Sequence, residues 1–151
     1  MKSPKPEPDL QAIALGLLAR REHGRRELHG KLTQRGFAPE AVAPVLDALE
    51  AEGSLSDARY ARAFVHGRLE RGWGADRIRA ELIRRGVEET RIEVALEETA
   101  DEDDGYERLE AARRKKFGPD KPKDYKERAR QARFLQYRGF PMDHIRRALF
   151  E

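Results

Sequence analysis

Apolar positions along the chain recur at helical spacing, and one pattern of them occurs three times. The segments that begin at Leu32, Leu82 and Leu135 share the template L-x-x-R-G-[FV]-x4-[VI]-x3-L. The last two apolar positions of the template lie four residues apart, so they fall on one face of an α-helix. The copies are separated by 50 and 53 residues. A period of this length predicts a repeat protein.

Each copy of the template predicts a helix, a tight stop and a second helix. Gly36, Gly86 and Gly139 stand where a residue in the left-handed conformation ends a helix. The apolar residue after each glycine is expected to fold back onto the preceding turn. Pro39 and Pro141 then suit the first turn of the next helix.

A further helix is predicted before each copy. The first covers about residues 10–22, and the second is capped by Ser56 or Asp57 and ends at a Gly-Trp-Gly break. The third begins near Tyr106, and an Asp-x-x-Glu signal at residues 124–127 starts the helix after it. We therefore expect an all-α protein with three tandem three-helix repeats that form an elongated, curved array.

The expected units are residues 10–53, 54–100 and 101–151, preceded by a flexible, proline-rich leader at residues 1–9. A unit of about 50 residues buries little surface alone, so stacking onto a neighbour adds the stability that it lacks. The leader has no apolar stretch of the kind found in signal peptides, and no run of the chain approaches the roughly 18 apolar residues of a membrane span. Because the chain has no cysteine, we expect a protein of the reducing cytoplasm.

Charge separates the third unit from the other two. Charged residues make up 39% of the chain, against about 25% in an average protein, so much of the chain must face water. The first two units are neutral, and the whole surplus of +3 lies in the third. Residues 88–104 hold 9 acids and one arginine, whereas residues 105–138 hold 12 basic residues and 5 acids. The array is therefore expected to have one electrostatically distinct end.

Two interpretations of these basic residues stay open. Their density attracts polyanions such as nucleic acid. Alternatively, they neutralise the acidic stretch at residues 88–104, within the molecule or across a contact. Trp73, the only tryptophan, also has two interpretations, because at a helix break it either packs inward or is displayed as an anchor for a partner.

No arrangement of residues suited to catalysis is visible in the sequence. The four histidines, His23, His29, His66 and His144, show none of the spacings typical of metal ligands. The chain has no phosphate-binding glycine loop and no nucleophile motif. Its carboxylates at helical spacing are typical of solvated faces that pair with arginines. We therefore expect a non-enzymatic interaction protein with no metal and no cofactor.

Three blocks of the sequence resemble the RecX family of bacterial regulatory proteins. Residues 14–37 are similar to the opening signature of the family, and residues 53–87 contain its D-x-R-[FY]-A and R-x3-G-x-G motifs. Residues 128–140 are similar to a block near its end, so the resemblance covers about residues 10–150.

Three positions depart from the family pattern. Gly24 stands where a serine or threonine cap is usual, Ala75 where proline is frequent, and Ser54 where an aromatic or aliphatic residue is common. Each change weakens a local cap or contact and leaves the repeat intact. The departures therefore concern local detail and not the family.

The resemblance implies a regulator of the RecA recombinase. Members of the family bind RecA, usually as a filament on single-stranded DNA, and restrain strand exchange, ATP hydrolysis and coprotease activity. They have no active site of their own, their helical array is thought to lie in the groove of the filament, and some members bind DNA directly. We therefore expect a monomer that binds the RecA filament and does not bind membranes.

A stand-alone, nonspecific DNA-binding protein is the alternative, and a pure scaffold for another partner is the third hypothesis. In the DNA-binding case a helix that follows a glycine turn acts like the reading helix of a helix-turn-helix protein. The chain has no asparagine and only four glutamines, so sequence-specific readout is not expected. RecA binding and DNA binding both place the contact on basic side chains and on the tryptophan. The candidate contact residues are Arg25, Arg26, Arg35, Arg68, Arg71, Trp73, Arg77, Arg84, Arg85, Arg113, Arg114, Lys115, Lys116, Arg128, Arg130, Arg133 and Arg138.

Overall fold

The computed structural model describes residues 7–100 and 105–151 and contains nine helices and no strand in that part of the chain. The helices are α1 (Glu7–Arg20), α2 (Arg25–Gln34), α3 (Pro39–Ala51), α4 (Asp57–Glu70), α5 (Ala75–Arg84), α6 (Glu89–Thr99), α7 (Tyr106–Phe117), α8 (Tyr125–Tyr137) and α9 (Met142–Phe150). The all-α prediction is confirmed for these residues. Helix α1 begins at Glu7, earlier than expected, and the rest of the predicted leader, residues 1–6, lies outside the described residues.

The helices form three units, α1–α3, α4–α6 and α7–α9, and pack mainly against helices of their own unit. Each unit has its own hydrophobic core. The template leucines Leu32, Leu82 and Leu135 are fully buried, one in each core. Burying a leucine side chain stabilises a fold by roughly 2 kcal/mol. The template thus marks the same core position in each repeat.

The helix stop of the template has the same geometry in every copy. The N–H of Phe37 donates to the carbonyl of Leu32 at 3.3 Å, and the corresponding bonds in the other copies are 3.1 Å long. Gly36, Gly86 and Gly139 have φ angles of 102°, 83° and 93°. A left-handed glycine followed by this hydrogen bond is the Schellman motif. The predicted stop is therefore confirmed at all three positions.

The helix starts agree with the sequence except at one proline. Ser56 caps α4 and Asp124 caps α8, because each side chain accepts a hydrogen bond from the backbone N–H three residues later. Pro39 is in the first turn of α3, as predicted. Pro141 instead precedes α9 as its N-cap, so its predicted place in the first turn is wrong. Its φ of −61° is the angle that the ring fixes, and its ψ of 145° is extended.

Backbone contacts join the second unit to the third, and we call this contact the second joint. The N–H of Gly74 donates to the carbonyl of Arg138 at 2.7 Å, and the N–H of Asp76 donates to that of Gly139 at 2.9 Å. A Cβ atom at Gly74 would overlap the carbonyl group of Gly139. Only glycine therefore allows the two backbones to approach this closely.

Side chains join the first unit to the second, and we call this contact the first joint. The N–H of Arg25 donates to Asp57 Oδ1 at 2.7 Å. Arg59 forms an ion pair with Glu22 at 2.9 Å. The two joints arrange the units in a row and bring residues that are distant in sequence onto shared surfaces.

Candidate partner-binding surface

The C-terminal end of α4 lies between two clefts that are rich in basic side chains. The larger cleft, which we call the α7 cleft, has a volume of about 500 Å³ and opens between α4, α7 and α8. Apolar residues that include Leu69 and Phe134 line it together with Glu70. Its basic lining residues are Arg71, Arg108, Lys115, Lys116 and Arg138.

The second cleft, which we call the Arg68 cleft, has a volume of about 430 Å³ and opens between the α1–α2 connection and α4. Arg71 lines both clefts, so together they form one continuous surface, which we call the basic surface. The other lining residues of interest are Arg21, Glu22, Tyr60, Phe64, Arg68 and Arg85.

Helix α4 ends in a Schellman motif that brings Arg68 against Trp73. The N–H of Trp73 donates to the carbonyl of Arg68 at 3.0 Å, and Gly72 has a φ of 84°. In this motif the two residues joined by the long-range bond usually make an apolar contact. Here the guanidinium of Arg68 lies 4.6 Å from the centre of the Trp73 ring. The local backbone therefore produces a cation–π contact at this position.

Guanidinium groups and aromatic rings alternate across the second joint. Arg68 also lies 4.5 Å from the centre of the Phe64 ring. Arg77 lies 4.0 Å from the centre of Trp73 and 4.7 Å from that of Tyr137, which belongs to α8. Trp73 is consequently half-buried between two arginines, and neither of its two predicted placements describes it fully.

Positive charge exceeds negative charge around the Arg68 cleft. Arg85 donates to the Tyr60 hydroxyl at 3.2 Å and pairs with Glu81 at 3.2 Å. Arg68 pairs with no carboxylate of the described residues, and its buried Nε has no hydrogen-bond partner among them. Burial lowers the pKa of Arg68, and the nearby charges of Arg71 and Arg85 lower it further.

Part of the predicted contact set lies together on the basic surface. The Arg138 guanidinium donates to the carbonyl of Arg71 at 3.3 Å and lies 5.1 Å from the centre of the Phe134 ring. The predicted contact residues that line a cleft, or that belong to the alternating guanidinium groups and rings of the second joint, are Arg68, Arg71, Trp73, Arg77, Arg85, Lys115, Lys116 and Arg138. Their contact with a partner stays a prediction.

Arg113 does not lie on this surface. Its side chain is fully buried, pairs with Glu110 at 3.2 Å and donates to the carbonyl of Asp120 at 3.1 Å. The expectation that Arg113 contacts a partner is therefore wrong, because its guanidinium holds the loop after α7. The neighbouring Arg114 is exposed and lies 3.8 Å from Glu110.

The other candidate residues lie outside the two clefts. Arg25 pairs with Asp47 and Glu50 of its own unit. Arg26 packs against Gly86 across the first joint. The remaining members, which line neither cleft, are Arg35, Arg84, Arg114, Arg128, Arg130 and Arg133.

Five residues that belong to this region were not predicted from the sequence, and one of them, Arg108, lines the α7 cleft. Tyr60 and Phe64 precede Arg68 by eight and four positions on α4, so helical spacing was a usable signal for both. Arg21 and Tyr137 had no such signal. Their approach to α4 and Trp73 depends on how neighbouring units are joined.

The acidic stretch forms ion pairs within the second unit. In its described part, residues 88–100, Glu93 pairs with Arg79 at 2.6 Å and Glu98 pairs with Arg62 at 2.8 Å. These partners come from α5 and α4. The pairs therefore do not involve the basic residues of the third unit.

The described helices are short and contain at most 14 residues. None of them, in the part of the chain that the structure covers, is long and apolar enough to cross a membrane. Across residues 7–100 and 105–151, no three His, Asp or Glu side chains are grouped so that they could hold a metal ion.

Family models match each unit of this chain. The model of the first three-helix domain of RecX matches residues 12–49, that of the second matches residues 56–96, and that of the third matches residues 102–149. The matches therefore cover most of the chain and follow the three units of the structure.

Curated relatives are similar over almost the whole chain. The regulatory protein RecX of Pseudomonas putida (strain GB-1) is 49% identical over 140 residues, which are 93% of this chain and 88% of the relative. The regulatory protein RecX of Pseudomonas tolaasii is 51% identical over 140 residues, which are 93% of this chain and 89% of the relative.

Solved structures share the fold at lower identity. RecX from Lactobacillus salivarius has a TM-score of 0.78 and 18% identity, over 94% of this chain and 93% of that chain. A second RecX crystal structure has a TM-score of 0.76 and 22% identity, over 93% of this chain and 73% of that chain. With the three domain matches and the curated relatives, this likeness shows that the chain belongs to the RecX family.

Proposed function

We propose that this protein binds RecA filaments on single-stranded DNA and restrains their strand exchange, ATP hydrolysis and coprotease activity. Membership of the RecX family carries the proposal, since relatives of about half identity are named regulatory proteins. The protein acts by occupying the filament and has no active site of its own.

The basic surface supports this function as the site of contact. Arginine and aromatic residues are enriched at protein interfaces, and both types lie at the end of α4. Arg68 and Arg138 are held by rings and by a backbone carbonyl, so they lose little freedom when a partner binds. The side chains that make the contact thus come from both the second and the third unit.

Titration of the purified protein into RecA filaments tests the proposal. The measurements are ATP hydrolysis, strand exchange and cleavage of a coprotease substrate by RecA on single-stranded DNA. Each rate should fall as the protein is added. Unchanged ATP hydrolysis and strand exchange at an excess of the protein would refute the proposal.

Two matched double variants locate the contact. Lys115→Glu with Lys116→Glu reverses two charges that line the α7 cleft, whereas Lys123→Glu with Lys126→Glu reverses two exposed charges that line neither cleft. The first pair should raise the protein concentration needed for half-inhibition by about tenfold, and the second should change it by less than about twofold. Equal shifts at equal helicity would remove the α7 cleft from the contact.

Direct DNA binding is the second candidate function, favoured by the basic lining of the α7 cleft. Binding to phosphates releases counterions, so the affinity for an oligonucleotide should fall steeply between about 50 and 200 mM salt. DNA would be favoured as the target if the variants lose inhibition of RecA in proportion to their loss of affinity for DNA measured without RecA. Inhibition without measurable DNA binding favours RecA.

A further inference from the structure

Four arginines line the Arg68 cleft, and only Arg21 has a carboxylate to itself, that of Glu27 at 2.7 Å. The other three guanidinium groups have too few carboxylates to balance them. Arg85 pairs with Glu81, but Glu81 also pairs with Arg84 at 2.8 Å. Arg68 and Arg71 line the same cleft and pair with no carboxylate of the described residues. Like charges that converge on a cleft favour an anion from outside the molecule.

Arg68 is held in a fixed orientation. The Phe64 and Trp73 rings lie 4.5 and 4.6 Å from its guanidinium. Its Nε is buried, so the terminal nitrogens are the donors left for the cleft. A planar guanidinium in one orientation matches a carboxylate, to which it donates two parallel hydrogen bonds. Arg68 is therefore preorganised for this geometry.

The aromatic rings beside Arg68 are not free to stack on nucleic-acid bases. Phe64 and Trp73 each have two arginine guanidinium groups within 5.1 Å of the ring centre. Base stacking on exposed rings supplies much of the affinity of single-strand binding sites. These features favour a single carboxylate over a nucleic-acid strand.

We propose that the Arg68 cleft binds one carboxylate of the partner protein, the side chain of an aspartate or a glutamate. Arg68 makes the bidentate contact, and Arg71 and Arg85 add positive charge beside it. The identity of the partner rests on the proposed function, whereas the carboxylate chemistry rests on the cleft itself. The bound carboxylate also offsets the repulsion among the three arginines.

Filament binding by variants of Arg68 tests the proposal. Arg68→Lys keeps the charge but removes the planar fork, and Arg68→Gln removes both. Arg146→Gln is the matched control for lost charge, because Arg146 is exposed, lines neither cleft and is not among the candidate contact residues. Both Arg68 variants should bind RecA filaments on the order of tenfold more weakly, and the control within about twofold of the wild type.

Unchanged affinity of both Arg68 variants would overturn the inference and leave the proposed function standing. If the variants weaken binding to RecA-free oligothymidylate by the same factor as to the filament, the cleft recognises phosphate, and the carboxylate assignment fails. Matching circular dichroism spectra and unfolding midpoints establish that the variants are folded.

Trp73 gives a second measurement on the unmodified protein. It is the only tryptophan and contacts Arg68, so its fluorescence reports on the cleft. The probe is N-acetylglutamate amide at constant ionic strength, with N-acetylglutamine amide as the neutral control. A saturable change with the carboxylate alone supports the inference, and equal or absent changes overturn it. If the wild type does not bind the filament, the proposed function fails and this titration alone decides the cleft.

Discussion

In both joints, the glycine turn of one unit packs against the start of a helix in the preceding unit. The groups that hold the turn differ between the two joints. In each joint an arginine near the start of one helix donates to the carbonyl two residues before the docked glycine. Arg26 reaches the carbonyl of Arg84 at 3.4 Å, and Arg77 reaches that of Tyr137 at 3.3 Å. This contact is therefore a repeated feature of the array.

The contacts around that shared feature differ in kind. In the second joint, the N–H groups of Gly74 and Asp76 donate to backbone carbonyls. In the first joint, the Asp57 carboxylate and the Glu22–Arg59 ion pair make the corresponding contacts. Close backbone approach depends on the absence of a side chain, whereas carboxylate contacts depend on pH and salt. One repeat thus supports a sterically defined joint and an electrostatic joint.

Replacement of the N-cap glycines should separate the two joints most strongly. Gly74 and Gly24 have φ angles of −94° and −74°, so alanine causes no backbone strain at either position. A Cβ at Gly74 overlaps Gly139, whereas a Cβ at Gly24 meets the Tyr60 ring at 3.0 Å. Gly74→Ala should lower the free energy of unfolding by about 2–3 kcal/mol and Gly24→Ala by about 1 kcal/mol or less.

Urea denaturation followed by circular dichroism measures both changes. Trp73 fluorescence reports on the second joint in the same samples, because Trp73 contacts Arg77 there. Equal losses in the two variants would contradict a steric difference between the joints.

The first joint should depend on one carboxylate for which the second has no equivalent. Asp57→Ala removes the acceptor of the Arg25 N–H and should cost about 1 kcal/mol of unfolding free energy. Asp76→Ala is the matched control, because Asp76 uses its backbone N–H in the second joint and its exposed carboxylate pairs with Arg79. A larger loss for Asp76→Ala in urea denaturation would argue against this assignment.

A buried histidine beside the first joint should add a smaller, pH-dependent effect. His23 is 1% exposed and lies 2.9 Å from Lys31 Nζ through its Nε2. Burial lowers the pKa of His23, and the charges of Arg21 and Lys31 lower it further, against opposing effects of the Arg21 carbonyl and Glu27. The folded state therefore binds this proton less readily than the unfolded chain does.

The sign of the pH dependence follows from this depressed pKa. The stability that neutral His23 contributes is complete above the unfolded pKa of about 6.5 and is lost as the pH falls through the lower folded pKa. The urea midpoint should thus be lower at about pH 5.5 than at about pH 7.5, a range in which carboxylates stay ionised. His23→Gln should flatten this difference, and a wild-type pH dependence in that variant would exclude His23 as its source.

The ion pair of the first joint should give the smallest effect. Arg59 and Glu22 are 41% and 32% exposed, so solvent screens their attraction. Glu22→Gln should change the unfolding free energy by about 0.5 kcal/mol at low salt and by less near 1 M salt. A difference that persists at high salt would indicate that Glu22 has another role.

The repeat and its helix stops could be predicted because they depend on local backbone chemistry. Gly36 and its equivalents follow from the left-handed conformation that the motif requires, and Ser56 and Asp124 follow from helix capping. Each of these predictions depends on a segment of fewer than ten consecutive residues. The fold class follows once three such segments are seen in one chain.

The candidate surface was less predictable because it depends on contacts between units. Arg113 and Lys115 look alike in sequence, yet Arg113 is buried because Glu110 and the Asp120 carbonyl balance its charge. Arg71 and Arg138 meet only because the second joint brings the end of α8 to the end of α4. Composition identified the types of residue on the surface, and the contacts between units determine which arginines and lysines lie there.

Within the part of the chain that the structure describes, no other unit packs against the glycine turn of the first unit. Among the described residues, nothing lies within 4 Å of a Cβ at Gly36, whereas Gly86 and Gly139 pack against the preceding unit. At the other end, α8 begins with Asp124, which has a side chain where the second joint requires Gly74 to have none. A joint of the Gly74 type therefore cannot form at the start of α8, whereas the Gly36 turn keeps open the face that Gly86 and Gly139 use for docking.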